Sequence, residues 1–155
     1  MTDTTLPGSA LPAPPAAIVE PRTQAAVILG VTEDIARRFG TTGLIELDGK
    51  PLVLQPLTEH PDGPWLASAR ARRPAGIDLD DWCDALLQAN SFSLLGTEAA
   101  FGIDDDGDGV LVMRIPAGCG DARLLALNLG GLLHLCESVS HAVLNPAPQF
   151  EEVLP

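Results

Sequence analysis

The spacing of apolar residues changes period along the chain, and each change marks an expected element. From Thr23 to Phe39, "TQAAVILGVTEDIARRF" places Ala26, Leu29, Val31, Ile35, Ala36 and Phe39 at spacings that suit a helix, with Gly30 a weak point and Gly40 a natural stop. The next stretch, "GLIELDGKPLVLQPL", alternates Ile45 and Leu47 with Leu44 and Glu46, turns at Asp48-Gly49 and resumes with Leu52, Val53 and Leu54. Asp-Gly between apolar runs predicts a two-residue hairpin, because both turn positions need positive φ. Pro51 has no amide donor, so the second strand is expected to begin at an unpaired or edge position. In "WLASARAR", Trp65, Ala67, Ala69 and Ala71 fall on one face of a third strand, opposite Leu66, Ser68, Arg70 and Arg72.

The period then returns to that of a helix. Asp78 is the expected N-cap of "DLDDWCDALLQAN", whose Leu79, Trp82, Cys83, Leu86 and Leu87 share a face. Asp80 and Asp81 suit its positive end, and Asn90 is the expected stop. Two further strands, in "SFSLLGTEAAFGI" and "VLVMRIP", flank "DDDGDG". Asp121 then caps the longest helix, in which Leu125, Leu129, Leu132, Cys136, Val139 and Val143 form a seam and Asn145-Pro146 end it. Leu124, Leu127, Leu135 and Ala142 make this helix apolar on other sides too, so it should be buried on more than one side.

These elements predict an α+β domain: a twisted antiparallel sheet with three helices, in the order α-β-β-β-α-β-β-α. Residues 1–24 hold Pro7, Pro12, Pro14, Pro15 and Pro21 among small residues and read as a disordered tail. The domain proper spans 25–144, and 145–155 form an acidic C-terminal tail. Of 155 residues, 21 are acidic and 9 basic, for a net charge of -12 and a pI near 4.3. Such a field disfavours nucleic acid and anionic membrane as partners. Yet 46% of residues are hydrophobic and only 19% charged, with mean hydropathy +0.19, which leaves apolar surface for a protein partner. Cys83, Cys119 and Cys136 are odd in number and form no CxxC pair, so reducing cytoplasm is the expected compartment. No secretory signal and no run of membrane-spanning length is visible.

Candidate chemistry narrows quickly. Asp104, Asp106 and Asp108, followed by Gly109, match the first half of a calcium-binding EF-hand loop, but Ile115 stands where a bidentate Glu is required and Pro116 blocks the exiting helix. The run therefore reads as a hairpin turn, with Gly107 and Gly109 supplying positive φ. His134 and His141 lie seven apart on the last helix without a nearby third ligand, so no metal site is expected. Cys83 reads as a small core residue and His60 as part of a loop. Arg70, Arg72 and Arg73 form the one basic cluster, suited to neutralising nearby carboxylates or docking an acidic segment. Gly130-Gly131 implies either a tolerated kink or the close approach of another backbone. No nucleophile elbow, phosphate loop, HExxH or dinucleotide fingerprint is present, so the chain is expected to bind rather than catalyse and to need no cofactor.

The order of elements, with Leu86, Leu87, Ala89 and Asn90 followed by Phe92, Leu94, Gly96, Phe101 to Ile103, Asp105 to Gly109 and Val110 to Pro116, resembles the class I chaperones of bacterial type III secretion, the Tir-chaperone-like family. The resemblance covers roughly residues 25 to 144, and both dedicated chaperones and multi-effector chaperones of plant-pathogen systems fit it. It implies a cytoplasmic, virulence-associated homodimer that holds the N-terminal segment of effector proteins extended and export-competent, with release by a secretion ATPase. Trp82, Leu86 and Leu87 would form the dimer interface. Val27, Ile28, Val31, Ile35, Leu44 and Leu52 would bind the effector, by strand addition at a sheet edge and insertion of apolar side chains into grooves. The alternatives are a regulatory adaptor of the same fold that binds a folded partner, and a small calcium-binding protein.

Overall fold

The computed structural model describes residues 13–93 and 98–145. Its elements are α1 (Ala16–Ile28), α2 (Glu33–Thr42), β1 (Leu44–Leu47), β2 (Lys50–Pro56), β3 (Trp65–Ala71), α3 (Leu79–Ser93), β4 (Ala99–Ile103), β5 (Gly109–Ile115) and α4 (Ala122–Leu144). The class is α+β with a five-stranded antiparallel sheet, but there are four helices rather than three. The single helix expected over 23–39 is two. Gly30 takes φ +87, open to glycine and strained for other residues, and Thr32 is extended, so the chain turns back before Glu33 and Asp34 begin α2 at its positive end.

The tail expectation over 1–24 is corrected from Ala16 onward. Ala16 to Gln24 are helical in spite of Pro21, because Ile18, Arg22, Ala25 and Ala26 line a buried face whose packing outweighs local propensity. Residues 1–12 and 146–155 lie outside the described residues.

The sheet order is β1-β2-β3-β5-β4, antiparallel throughout. Asp48 (φ 50) and Gly49 (φ 73) form the expected primed turn between β1 and β2. Pro51 pairs with Glu46 ahead of the first β2–β3 pair, Leu52–Ala69, so its missing donor leaves no gap in that ladder. The burial of β3 alternates as expected, with Trp65, Ala67, Ala69 and Ala71 inside. These small alanines let α4 lie close over β3 and β5, where Leu125, Leu129, Leu132 and Cys136 meet Leu111, Met113 and Ile115 in one core. Asp121 caps α4 as expected, accepting from the amides of Arg123 and Leu124. On the opposite face of the sheet, Leu44, Val53, Ser68, Val112 and Ala100 pair in one row across all five strands and are half-buried or exposed.

Several local expectations change. Helix α3 runs through Asn90 to Ser93, so Asn90 is not its stop and Phe92 is not on a strand. Leu94 and Gly96 lie outside the described residues. Gly109 does not take positive φ. It is required because a Cβ there would stand 3.0 Å from Trp82 Cζ2 and 3.2 Å from Leu86 Cδ2, so its bareness lets α3 close on β5. At Gly130 and Gly131 a Cβ would meet no atom within 4 Å, so no described backbone makes the close approach one reading called for.

Candidate binding site

The hydrogen-bond ladder decides which backbone groups face outward at β1. Leu54 donates to Gly43 O at 2.8 Å, and in an antiparallel pair bonded and non-bonded positions alternate, so Ile45 and Leu47 face β2 while Leu44 and Glu46 face away. The outward Leu44 amide is already engaged, donating to Thr42 Oγ1 at 3.2 Å. That hydroxyl has one proton and two acceptors in reach, Arg38 O at 2.8 Å and Leu44 O at 3.4 Å, and the shorter contact takes it. Glu46 N–H and C=O have no partner among the described residues, and together with Leu44 C=O they form an open edge.

Arg22 holds the junction that presents this edge. Gly43 caps α2 in a left-handed conformation and donates its amide to Phe39 O, which leaves Leu54 O without a β1 partner. Arg22 Nη2 donates to Leu54 O at 2.8 Å, and Nη1 donates to Gly40 O, a carbonyl in the last turn of α2, at 3.3 Å. The guanidinium stacks 5.7 Å from the Trp65 ring centroid, and desolvation pulls its pKa below the ordinary value. Its Nε is buried without a partner.

Of the residues expected to bind an effector, Val27, Ile28, Ile35 and Leu44 are between 44% and 56% exposed, and Val31 is half-buried. Val27, Ile28 and Ile35 flank the α1–α2 bend, and Ile35, Arg38 and Thr42 share the face of α2 that leads to Leu44. Leu52 is corrected: at 1% exposure it is core. A groove of about 300 Å³ between α1 and the end of β2, lined by Pro14, Ile18, Pro56, Leu57 and Thr58, adds apolar surface at the other end of α1.

The dimer-interface expectation is also corrected in part. Trp82 is fully buried and Leu86 3% exposed, both inside the subunit, where Trp82 Nε1 has no hydrogen-bond partner among the described residues. Leu87, 64% exposed, and Leu79 lie about two turns apart on the outer face of α3, with half-buried Cys83 between them. Asn90 faces β4. Its Oδ1 accepts from Phe101 N at 2.6 Å and its Nδ2 donates to Phe101 O at 2.9 Å. Arg114 N donates to Glu98 O, so Ala100 and Gly102 bond to β5 while Phe101 points outward, and the Asn90 amide takes the place of a neighbouring strand. One signal for this was available: Asn90 stands four residues after Leu86 and eight after Trp82, on the buried stripe. Thr42 and Arg22 carried no comparable signal.

The acidic run is a hairpin turn between β4 and β5, closed by Asp104 N to Asp108 O at 2.9 Å. Asp104 Oδ1 accepts from the amides of Asp106 and Asp108, and Arg70 bridges the Asp104 and Asp106 carboxylates, with Nε 2.7 Å from Asp104 Oδ2. A cation of the protein itself thus sits where a calcium-binding reading needs a metal, and no group of carboxylates, thiols or imidazoles among the described residues is arranged to hold an ion. Desolvation pushes Asp104 up, but the Arg70 hydrogen bond and the amides of Asp108 and Asp106 outweigh it, and its pKa lies below the ordinary value. His134 and His141 are exposed. Cys136 is buried, and desolvation pushes its thiol up to about 11, an inert sulfur. Among the described residues no helix is long and apolar enough to cross a membrane.

The architecture, a five-stranded antiparallel sheet with helices over one face, is shared with a type III secretion chaperone of known structure. That structure is the Yersinia pestis type III secretion chaperone SycH in complex with a stable fragment of YscM2. It matches 79% of this chain and 99% of its own, with a TM-score of 0.55 and 20% identity. No family model matches the sequence, and no curated protein matches it.

Proposed function

We propose that this protein is a non-catalytic type III secretion chaperone that binds the N-terminal segment of effector proteins in the bacterial cytoplasm and keeps it extended for export. The observation that carries this is the pairing of an open β1 edge with the exposed apolar residues Val27, Ile28, Ile35 and Leu44, on a fold shared with a secretion chaperone. An extended client would gain main-chain hydrogen bonds at the edge and bury apolar side chains beside it. Subunits pair through the outer face of α3, around Leu79 and Leu87, and a secretion ATPase drives release.

Affinity capture from the native host under secretion-inducing conditions tests this reading. It expects large secreted proteins that lose association when roughly their first hundred residues, the length of one small domain, are deleted. Capture only of folded regulators that bind without such a segment would overturn it.

A further inference from the structure

We propose that a segment added at the β1 edge carries an apolar residue and a lysine or arginine two positions apart. This rests on the strand-addition reading above and adds the register and the sequence that it selects.

A five-stranded sheet has two edges, and here they differ in kind. At β4 the outward N–H and C=O of Phe101 are both held by the Asn90 amide, so a strand adding there must first displace a bidentate contact made by a residue anchored on α3. At β1 the outward groups of Glu46 have no partner among the described residues, and Leu44 is held only through Thr42, which accepts from its amide at 3.2 Å and stands 3.4 Å from its carbonyl oxygen. An incoming strand therefore pairs at Leu44 C=O and at both Glu46 groups, and Thr42 marks where pairing stops.

Register fixes the chemistry. Leu44 and Glu46 point to the same side of β1 and both are exposed, whereas Ile45 between them is buried. Residues opposite them in an added strand lie two apart on one face, the first against Leu44 and the second against the Glu46 carboxylate. The charge of -12 favours the same cation at longer range.

The test uses the full-length protein and two end-blocked heptapeptides, Thr-Val-Thr-Val-Thr-Lys-Thr and the same peptide with Glu for Lys, followed by amide hydrogen exchange and calorimetry. In the wild type the Phe101 amide exchanges slowly and is unaffected by peptide, while the lysine peptide slows the Glu46 amide. Replacing Lys by Glu weakens binding by roughly three- to five-fold, and Glu46→Lys inverts that preference. Asn90→Ala, which keeps a good helix former in α3, speeds Phe101 exchange at least about tenfold while Ala100 and Gly102 stay slow. Peptide protection at Ala99 and Ile103 in place of Glu46, or indifference to Glu46→Lys, overturns the inference. So does slow Phe101 exchange retained in a folded Asn90→Ala protein. The wild-type measurement decides the matter alone if that variant fails to fold. If a captured effector segment binds yet leaves the Glu46 amide unprotected, this inference falls and the chaperone reading stands. If no segment is captured, the chaperone reading itself falls.

Discussion

Replacing Arg22 by Met removes the charge and both hydrogen bonds while keeping most of the side-chain volume. Leu54 O and Gly40 O are then left without donors, and an unsatisfied buried carbonyl costs about 1–3 kcal/mol. Against this, the folded state no longer buries a guanidinium that has no carboxylate partner among the described residues and leaves Nε unpaired, which returns part of the loss. The stacking on Trp65 is lost as well, worth about 0.5–2 kcal/mol. We expect a net loss of about 2–4 kcal/mol, a fall in Tm of roughly 10 °C for a domain of this size. Arg22→Lys should fall between, because one ammonium cannot match a fork that reaches two carbonyls. Urea unfolding followed by tryptophan fluorescence, to which Trp65 and Trp82 both contribute, measures each difference. A Met variant as stable as wild type would refute the reasoning, since it would mean that the cost of burying the cation cancels everything it satisfies.

Other expectations follow from single contacts. Gly109→Ala places a methyl 3.0 Å from Trp82 Cζ2 and should cost about 1–3 kcal/mol, read as a lower urea midpoint at unchanged slope; an unaltered midpoint would show that α3 yields freely. Because Asp104 has a depressed pKa in the folded state, its contribution to stability is present above the unfolded pKa, about 4, and is lost as pH falls through the folded value. Arg70→Gln should therefore lower Tm at neutral pH, with the gap to wild type closing below about pH 4; a gap independent of pH would remove the ion pair as its cause. On the proposed pairing of subunits, Leu87→Glu should shift light scattering from dimer to monomer without loss of helix signal, and a persisting dimer would place the subunit interface elsewhere.

The strands were legible because their faces differ in composition. Trp65, Ala67, Ala69 and Ala71 alternate cleanly, Asp48-Gly49 allows one tight turn, and Asp121 caps the last helix as its residue type suggests. The first helix was not legible, because Pro14, Pro15 and Pro21 signal an extended tail while the burial of Ile18 and Arg22 depends on α2 and β2, which local pattern does not contain. Apolar character likewise separated core from surface poorly. Leu52 and Leu44 are equally apolar, yet the β2 position is covered and the edge position is not, and Trp82 lies inside because Gly109 admits it. The groups that define the open edge are backbone groups, visible only once the register places Glu46 outward and Phe101 against Asn90.

The pairing of β3 with β5 bears on how the protein is made. Helix α3 and strand β4 lie between them in the sequence, so a chain leaving the ribosome completes the β1-β2-β3 meander well before β5 exists. At ordinary synthesis speeds the interval from Ala71 to Ile115 lasts roughly 2–9 s. During it the inner edge of β3 stands open, and the alanine face that α4 will cover is wet. Nascent chains of this protein therefore pass through a stage with two unpaired edges, and ribosome-bound fragments halted once Ala71, but not β5, has left the exit tunnel should associate with one another where fragments with Ile115 outside the tunnel do not.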